Sequence, residues 1–137
     1  MQNSASTPTD QGPIMLNRIT IVCLALAGII HLLPLPGALG APQLGRLYGV
    51  AVEDPNLAIL LQHRAVLFGL LGVLLLAAAF RPDLRAVALI AGLASTVSFL
   101  AIAWGVGGYN PQLARVVAAD IAAVALLLMA AGMKWLR

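Results

Sequence analysis

Polar positions are sparse along this chain, and they divide it into four long apolar stretches at about 17–36, 55–80, 82–105 and 111–135. Each has close to the ~20 residues that a helix rising ~1.5 Å per residue needs to cross ~30 Å of hydrocarbon. The runs are too long for strands, and Ala and Leu outnumber the alternating β-branched residues that strands favour. The pattern predicts an all-α integral membrane four-helix bundle, up-down-up-down, forming a single domain over 15–137. Residues 1–14, "MQNSASTPTDQGPI", carry no apolar periodicity and read as a disordered tail. Met15 is an alternative start.

Turn chemistry marks the helix beginnings. Asp54-Pro55, Arg81-Pro82 and Asn110-Pro111 each place proline at a first helical position, and Asp54 and Asn110 are good N-caps. Pro34, Pro36 and Pro42, interleaved with Gly37, Gly40 and Gly45, make 34–46 a turn-rich loop. Its tail, "LGRLYGVAVEDP", reads as a short interfacial helix with Tyr48 at headgroup level. Trp104, Tyr109 and Trp135 fall near span ends as interfacial anchors. Small residues (Gly69 and Gly72, Gly92 with Thr96, Ala118 with Ala122) offer close helix approach. Ser95, Thr96 and Ser98 can bond across helices or back to their own carbonyls.

Composition sharpens the class. Of the 137 residues 61% are hydrophobic and 9% charged, against roughly 25% charged in soluble domains. Mean hydropathy is +0.98. The pI of 9.8 rests on eight Lys and Arg against five Asp and Glu. They are scattered, without a basic run or interleaved aromatics, so nucleic-acid binding is excluded. The single cysteine, Cys23, allows no internal disulfide, and no Cys/His metal cluster is present.

Lys and Arg placement sets the expected orientation. Arg18, Arg81, Arg85, Lys134 and Arg137 share one side; Arg46 lies on the other, with Arg64 and Arg115 just inside helix starts. This bias puts both termini in the cytoplasm, as in a bacterial inner membrane. A competing reading takes the first span as a signal peptide cleaved near Gly40, which would leave three spans.

The candidate chemistry lies in the few polar residues inside the spans. "DPNLAI" at 54–59 aligns with "NPQLAR" at 110–115, an offset of 56 residues that carries Arg64 onto Asp120. Both lie roughly 13–15 Å along their helices from equivalent caps. An Arg or Asp at mid-membrane costs roughly 2.5–3.5 kcal/mol and normally faces a partner or a wet cavity. Arg64 and Asp120 are therefore expected to pair across the bundle. His31 approaches the same level from the first span, and His63 neighbours Arg64. His31, His63, Arg64 and Asp120 form the candidate ligand-binding set, with Gln62, Glu53 and Arg115 secondary. Arg115 lies about 140° round the helix from Asp120 and reads as snorkelling to the headgroups. "GVGGY" at 105–109 lacks the Lys-Ser/Thr and preceding strand of a phosphate loop.

The four-span layout, with "IHLLPLPG" at 30–37, "LYGV" at 47–50, "LLQHRAVLFGLLG" at 60–72 and "GGYN" at 107–110, resembles a group of small uncharacterised bacterial membrane proteins, loosely DoxX-like, over about 15–135. The resemblance implies the fold and carries no transferable activity. Some similar sequences bear the name phosphopantetheine adenylyltransferase. Those are soluble α/β enzymes with a T/H-x-G-H motif; here His31 precedes "LLPLPG" and His63 precedes "RAV".

Three functional classes remain. One is an accessory or small-ligand binding protein whose amphiphile (a lipid, quinone or similar molecule) meets the polar set in the outer half of the bundle. Another is a structural or assembly subunit, a homo-oligomer or a partner of another membrane subunit, in which the Arg64–Asp120 pair only holds the helices. The third is a haem- or metal-dependent redox enzyme using His31 and His63, for which no ligand spacing speaks. The cofactor, if any, and the reaction are not written in the sequence.

Overall fold

The computed structural model describes residues 11–135, with side chains as far as Met133. Most of the expected polar tail and Arg137 fall outside the described residues, as does the side chain of Trp135. Helix α1 spans Gln11–Leu32, α2 Ala41–Tyr48, α3 Pro55–Phe80, α4 Arg85–Val106 and α5 Pro111–Trp135. Short 3-10 turns at Leu35–Leu39 and Pro82–Leu84 precede α2 and α4. Among the described residues, 11–14 are already helical and belong to α1, where the sequence predicts a tail.

Two of the expected caps are present in atomic detail. The Asp54 carboxylate accepts from the Asn56 backbone N–H at 2.8 Å, opening α3. The Asn110 side-chain oxygen accepts from the Leu113 N–H at 2.8 Å, opening α5. The third start differs: Arg81-Pro82 begins a 3-10 turn, and α4 proper starts at Arg85. The turn-rich segment also holds more helix than its prolines and glycines imply. Pro42 sits in the first turn of α2, where no N–H is needed. Gly49 ends that helix in the left-handed region (φ 64°), donating its N–H to the Gly45 carbonyl at 2.8 Å.

The four long helices form an up-down-up-down ring. α1 packs on α3 and α5, and α4 packs on α5 and α3, so every neighbour is antiparallel. α2 and the turn before it lie across the end where α3 and α5 begin; we call this the loop end, and the opposite one the terminus end. Each long helix is apolar and long enough to cross a membrane, yet only 22–33% of its most apolar window is buried inside the bundle. A helix apolar on its outward faces as well as its inward ones belongs in lipid.

Backbone contact sets the spacing of α1 and α3. A Cβ built on Gly72 would lie 2.9 Å from the Gly28 carbonyl oxygen, and one on Gly28 3.0 Å from that of Gly72. Gly69 makes room for Leu35, and Gly92 for Leu127. Ala118 and Ala122 do not serve in this way; both face outward. Thr96 and Ser98 bond back to their own helix, at the carbonyls of Gly92 (2.9 Å) and Ser95 (3.0 Å). The main apolar core includes Cys23, Leu24, Ala27, Leu75, Ala78, Ala88, Leu127 and Ala130. It fills the terminus half and leaves the loop half to other contacts.

Candidate functional site

At the loop end a half-open cavity of about 280 Å³ lies between α1, α2, α3 and α5. One wall is apolar, from Ile30 on α1 and Leu33 in the turn after it, Phe68 on α3, and Val116 and Ala119 on α5. The polar lining is Arg46 and Tyr48 on α2, Arg64 on α3, and Gln112, Arg115 and Asp120 on α5. Helical spacing explains the α5 contribution: positions 112, 116, 119 and 120 share one face. Phe68 follows Arg64 by one turn of α3 in the same way.

Arg64 and Asp120 both line this cavity, as matched depth suggests, but the expected ion pair is not formed. Among the described residues the ion pair within 4 Å is Arg81–Asp83, at 2.9 Å on the surface. Arg64 is held by aromatic faces instead. Its guanidinium carbon lies 4.9 Å from the Phe68 ring centroid, 5.1 Å from Phe99 and 5.7 Å from Tyr48. It also donates to the Tyr48 hydroxyl at a long 3.4 Å. Rings from α2, α3 and α4 thus converge on one cation, each contact contributing about 0.5–2 kcal/mol. Depth along a helix is set by register with the cap, whereas direction round it is set by neighbours. That is why equal depth did not become contact.

Asp120 is 4% exposed, and its Oδ2 has no hydrogen-bond partner among the described residues. His31, 1% exposed, is the second orphan. Its Nδ1 lies 2.7 Å from the Ala27 carbonyl oxygen, which can only accept, so Nδ1 carries a proton and Nε2 is the atom left unpartnered. The His31 ring stacks on Phe68, with centroids 5.7 Å apart and planes 20° apart. Phe68 therefore lies between His31 and Arg64 and fixes both. His31 stands behind the cavity wall and is not part of its lining.

Tyr48 ends α2 with its ring turned into the protein. It is buried, and burial pushes its phenol above the usual value, with Arg64 opposing the shift and Asp120 adding to it. The neutral hydroxyl accepts from Arg64 and keeps its own proton to donate. The position of α2 depends on Asn110, whose amide donates to the Tyr48 carbonyl at 2.8 Å and to that of Gly49 at 3.2 Å. One side chain thus caps α5 and ties down the cavity roof.

The remaining candidates separate. His63 is exposed and does not line the cavity. Gln62 is half-buried and Glu53 exposed, and neither belongs to the lining. Arg115 does belong: although exposed, and well round the helix from Asp120, its long side chain reaches the cavity. Periodicity does not reveal Arg46 or Tyr48 as lining residues, because they are brought there by the docking of α2, whereas Gln112 shares the α5 face of Asp120. Phe68 had a readable signal, its place one turn beyond Arg64. Among the described residues no group of three or more His, Cys, Asp or Glu comes together. No family model matches the chain, and neither curated proteins nor solved structures match it.

Proposed function

We propose that this chain is a small-ligand binding protein of the membrane, taking the head of an amphiphile into the loop-end cavity with the tail along its apolar wall. The observation that carries this reading is a half-open cavity with an apolar side and a polar side, lined in part by Asp120, whose Oδ2 has no partner among the described residues. Ligand pockets are mostly apolar with a few convergent polar groups, and this one has that division. The rival, in which an Arg64–Asp120 ion pair only holds helices together, has less support, because Arg64 is balanced by three aromatic faces. We place the loop end outside and both termini in the cytoplasm of a bacterial inner membrane, on the distribution of Lys and Arg.

The test is native mass spectrometry of the protein released from mild detergent, beside the variant Ala119→Phe, which fills the cavity. The expected result is one amphiphile per chain in the parent and none in the variant, with equal helicity and elution volume. Equal retention by both proteins would overturn the assignment of the cavity.

A further inference from the structure

We infer that the ligand is an acidic phospholipid, its phosphate held among Arg46, Arg64 and Arg115 and a hydroxyl or amine of its head group bonded to Asp120. This deepens the amphiphile reading and rests on it.

The first argument is charge. Three guanidiniums and one carboxylate line a single cavity, reached from three different helices. Arg46 and Arg115 form no hydrogen bond or ion pair among the described residues. A neutral quinone or sterol would leave that positive excess unmatched. A guanidinium fork suits carboxylate and phosphate alike. A planar carboxylate offers two oxygens in one plane, which two forks saturate. A tetrahedral phosphodiester offers oxygens in several directions, which suits three cations converging from different helices.

The second argument is the orphaned carboxylate. A buried polar atom without a partner is costly, and native proteins leave few of them. Asp120 lines a cavity whose other polar side chains are three arginines, Tyr48 and Gln112, and none of them bonds its buried Oδ2. A ligand bearing only an anion would repel it. A head group with both a phosphate and a hydrogen-bond donor satisfies the arginines and Asp120 together, bridging the two charges that do not touch directly. Ile30, Leu33 and Val116 supply the apolar side for the start of an acyl chain.

The experiment measures binding of defined lipids to delipidated protein by native mass spectrometry. Phosphatidylglycerol carries phosphate and hydroxyls. Phosphatidylcholine carries phosphate without a donor, and diacylglycerol a hydroxyl without phosphate. Glycerophosphoglycerol is the soluble head group alone. Phosphatidylglycerol is expected to bind roughly tenfold or more tightly than either of the other lipids, as expected for charge-assisted hydrogen bonds. Arg46→Gln and Arg115→Gln, at exposed positions, should each weaken it several-fold, and weaken diacylglycerol less, with helicity and elution volume equal to the parent. Asp120→Asn should narrow the gap between phosphatidylglycerol and phosphatidylcholine. Equal binding of diacylglycerol and phosphatidylglycerol would overturn the acidic-head assignment and leave the amphiphile reading standing. Binding of glycerophosphoglycerol as tight as that of the lipid would overturn the lipid as source. Failure of every amphiphile to bind stoichiometrically would sink both readings.

Discussion

The two ends of the bundle are built by opposite rules. At the terminus end small apolar side chains interlock, and the buried residues of the main cluster carry no charge. Arg85 there donates to the free carbonyls of Ala78 (3.2 Å) and Ala79 (3.1 Å), closing the end of α3. At the loop end the helices part around a cavity. All three buried side-chain atoms without partners among the described residues, on His31, Gln43 and Asp120, belong to that half. Lipid offers helices no hydrophobic force for association, so packing must hold them together. One end supplies that packing, and the other is free to carry polar groups that packing alone would not favour.

The largest test of this contrast is Leu127→Ala. Leu127 is fully buried against Gly92 and the facing helices. Its truncation should cost about 2–5 kcal/mol, read as a fall in the thermal midpoint in detergent. A midpoint unchanged by the substitution would mean that the terminus end is not the stabilising half. The companion test is Asp120→Leu, measured on delipidated protein. Removing an orphaned buried carboxylate should stabilise the fold by about 1–3 kcal/mol, while the preference for phosphatidylglycerol over phosphatidylcholine is lost. A lowered midpoint would show that Asp120 has a partner in the empty protein and would erase the contrast between the ends.

The two ends also differ in how far the sequence discloses them. The four long helices were legible because hydrocarbon thickness dictates their length, and the caps at Asp54 and Asn110 because their chemistry is local. The offset that aligns Arg64 with Asp120 placed both on one cavity, because register with a cap fixes depth. Azimuth was not legible. Three aromatic rings from three helices decide where the Arg64 guanidinium rests, and only Phe68 shares its helix. The lining from α2 was hidden for a related reason: a bond from Asn110 to backbone 61–62 residues away sets its place. The Gly28–Gly72 contact shows the same limit in the middle of the bundle. A glycine announces the possibility of close approach without naming its partner.

That long-range bond gives the next prediction. Asn110→Ala removes the α5 cap and the tie to α2 in one step. The cap alone is worth about 0.5–2 kcal/mol, so a moderate fall in midpoint is expected. Hydrogen exchange should rise in α2 well beyond the rise in the first turn of α5. Exchange confined to α5 would mean that α2 is held by its buried Leu44 and Tyr48 alone.

The smallest effect is expected at His63, and its smallness is informative. Gln62, His63 and Arg64 are consecutive, and in sequence they read as one polar island inside a span. In the folded chain a rotation of about 100° per residue separates them. Arg64 turns to the cavity, and His63 to the exposed face of α3. His63→Leu should therefore leave phosphatidylglycerol affinity within about twofold of the parent, whereas Arg64→Leu should abolish the preference for it. Comparable losses from both would place His63 beside the head group and extend the site round α3. Unequal losses would show that one helical step separates a ligand-facing residue from a membrane-facing one.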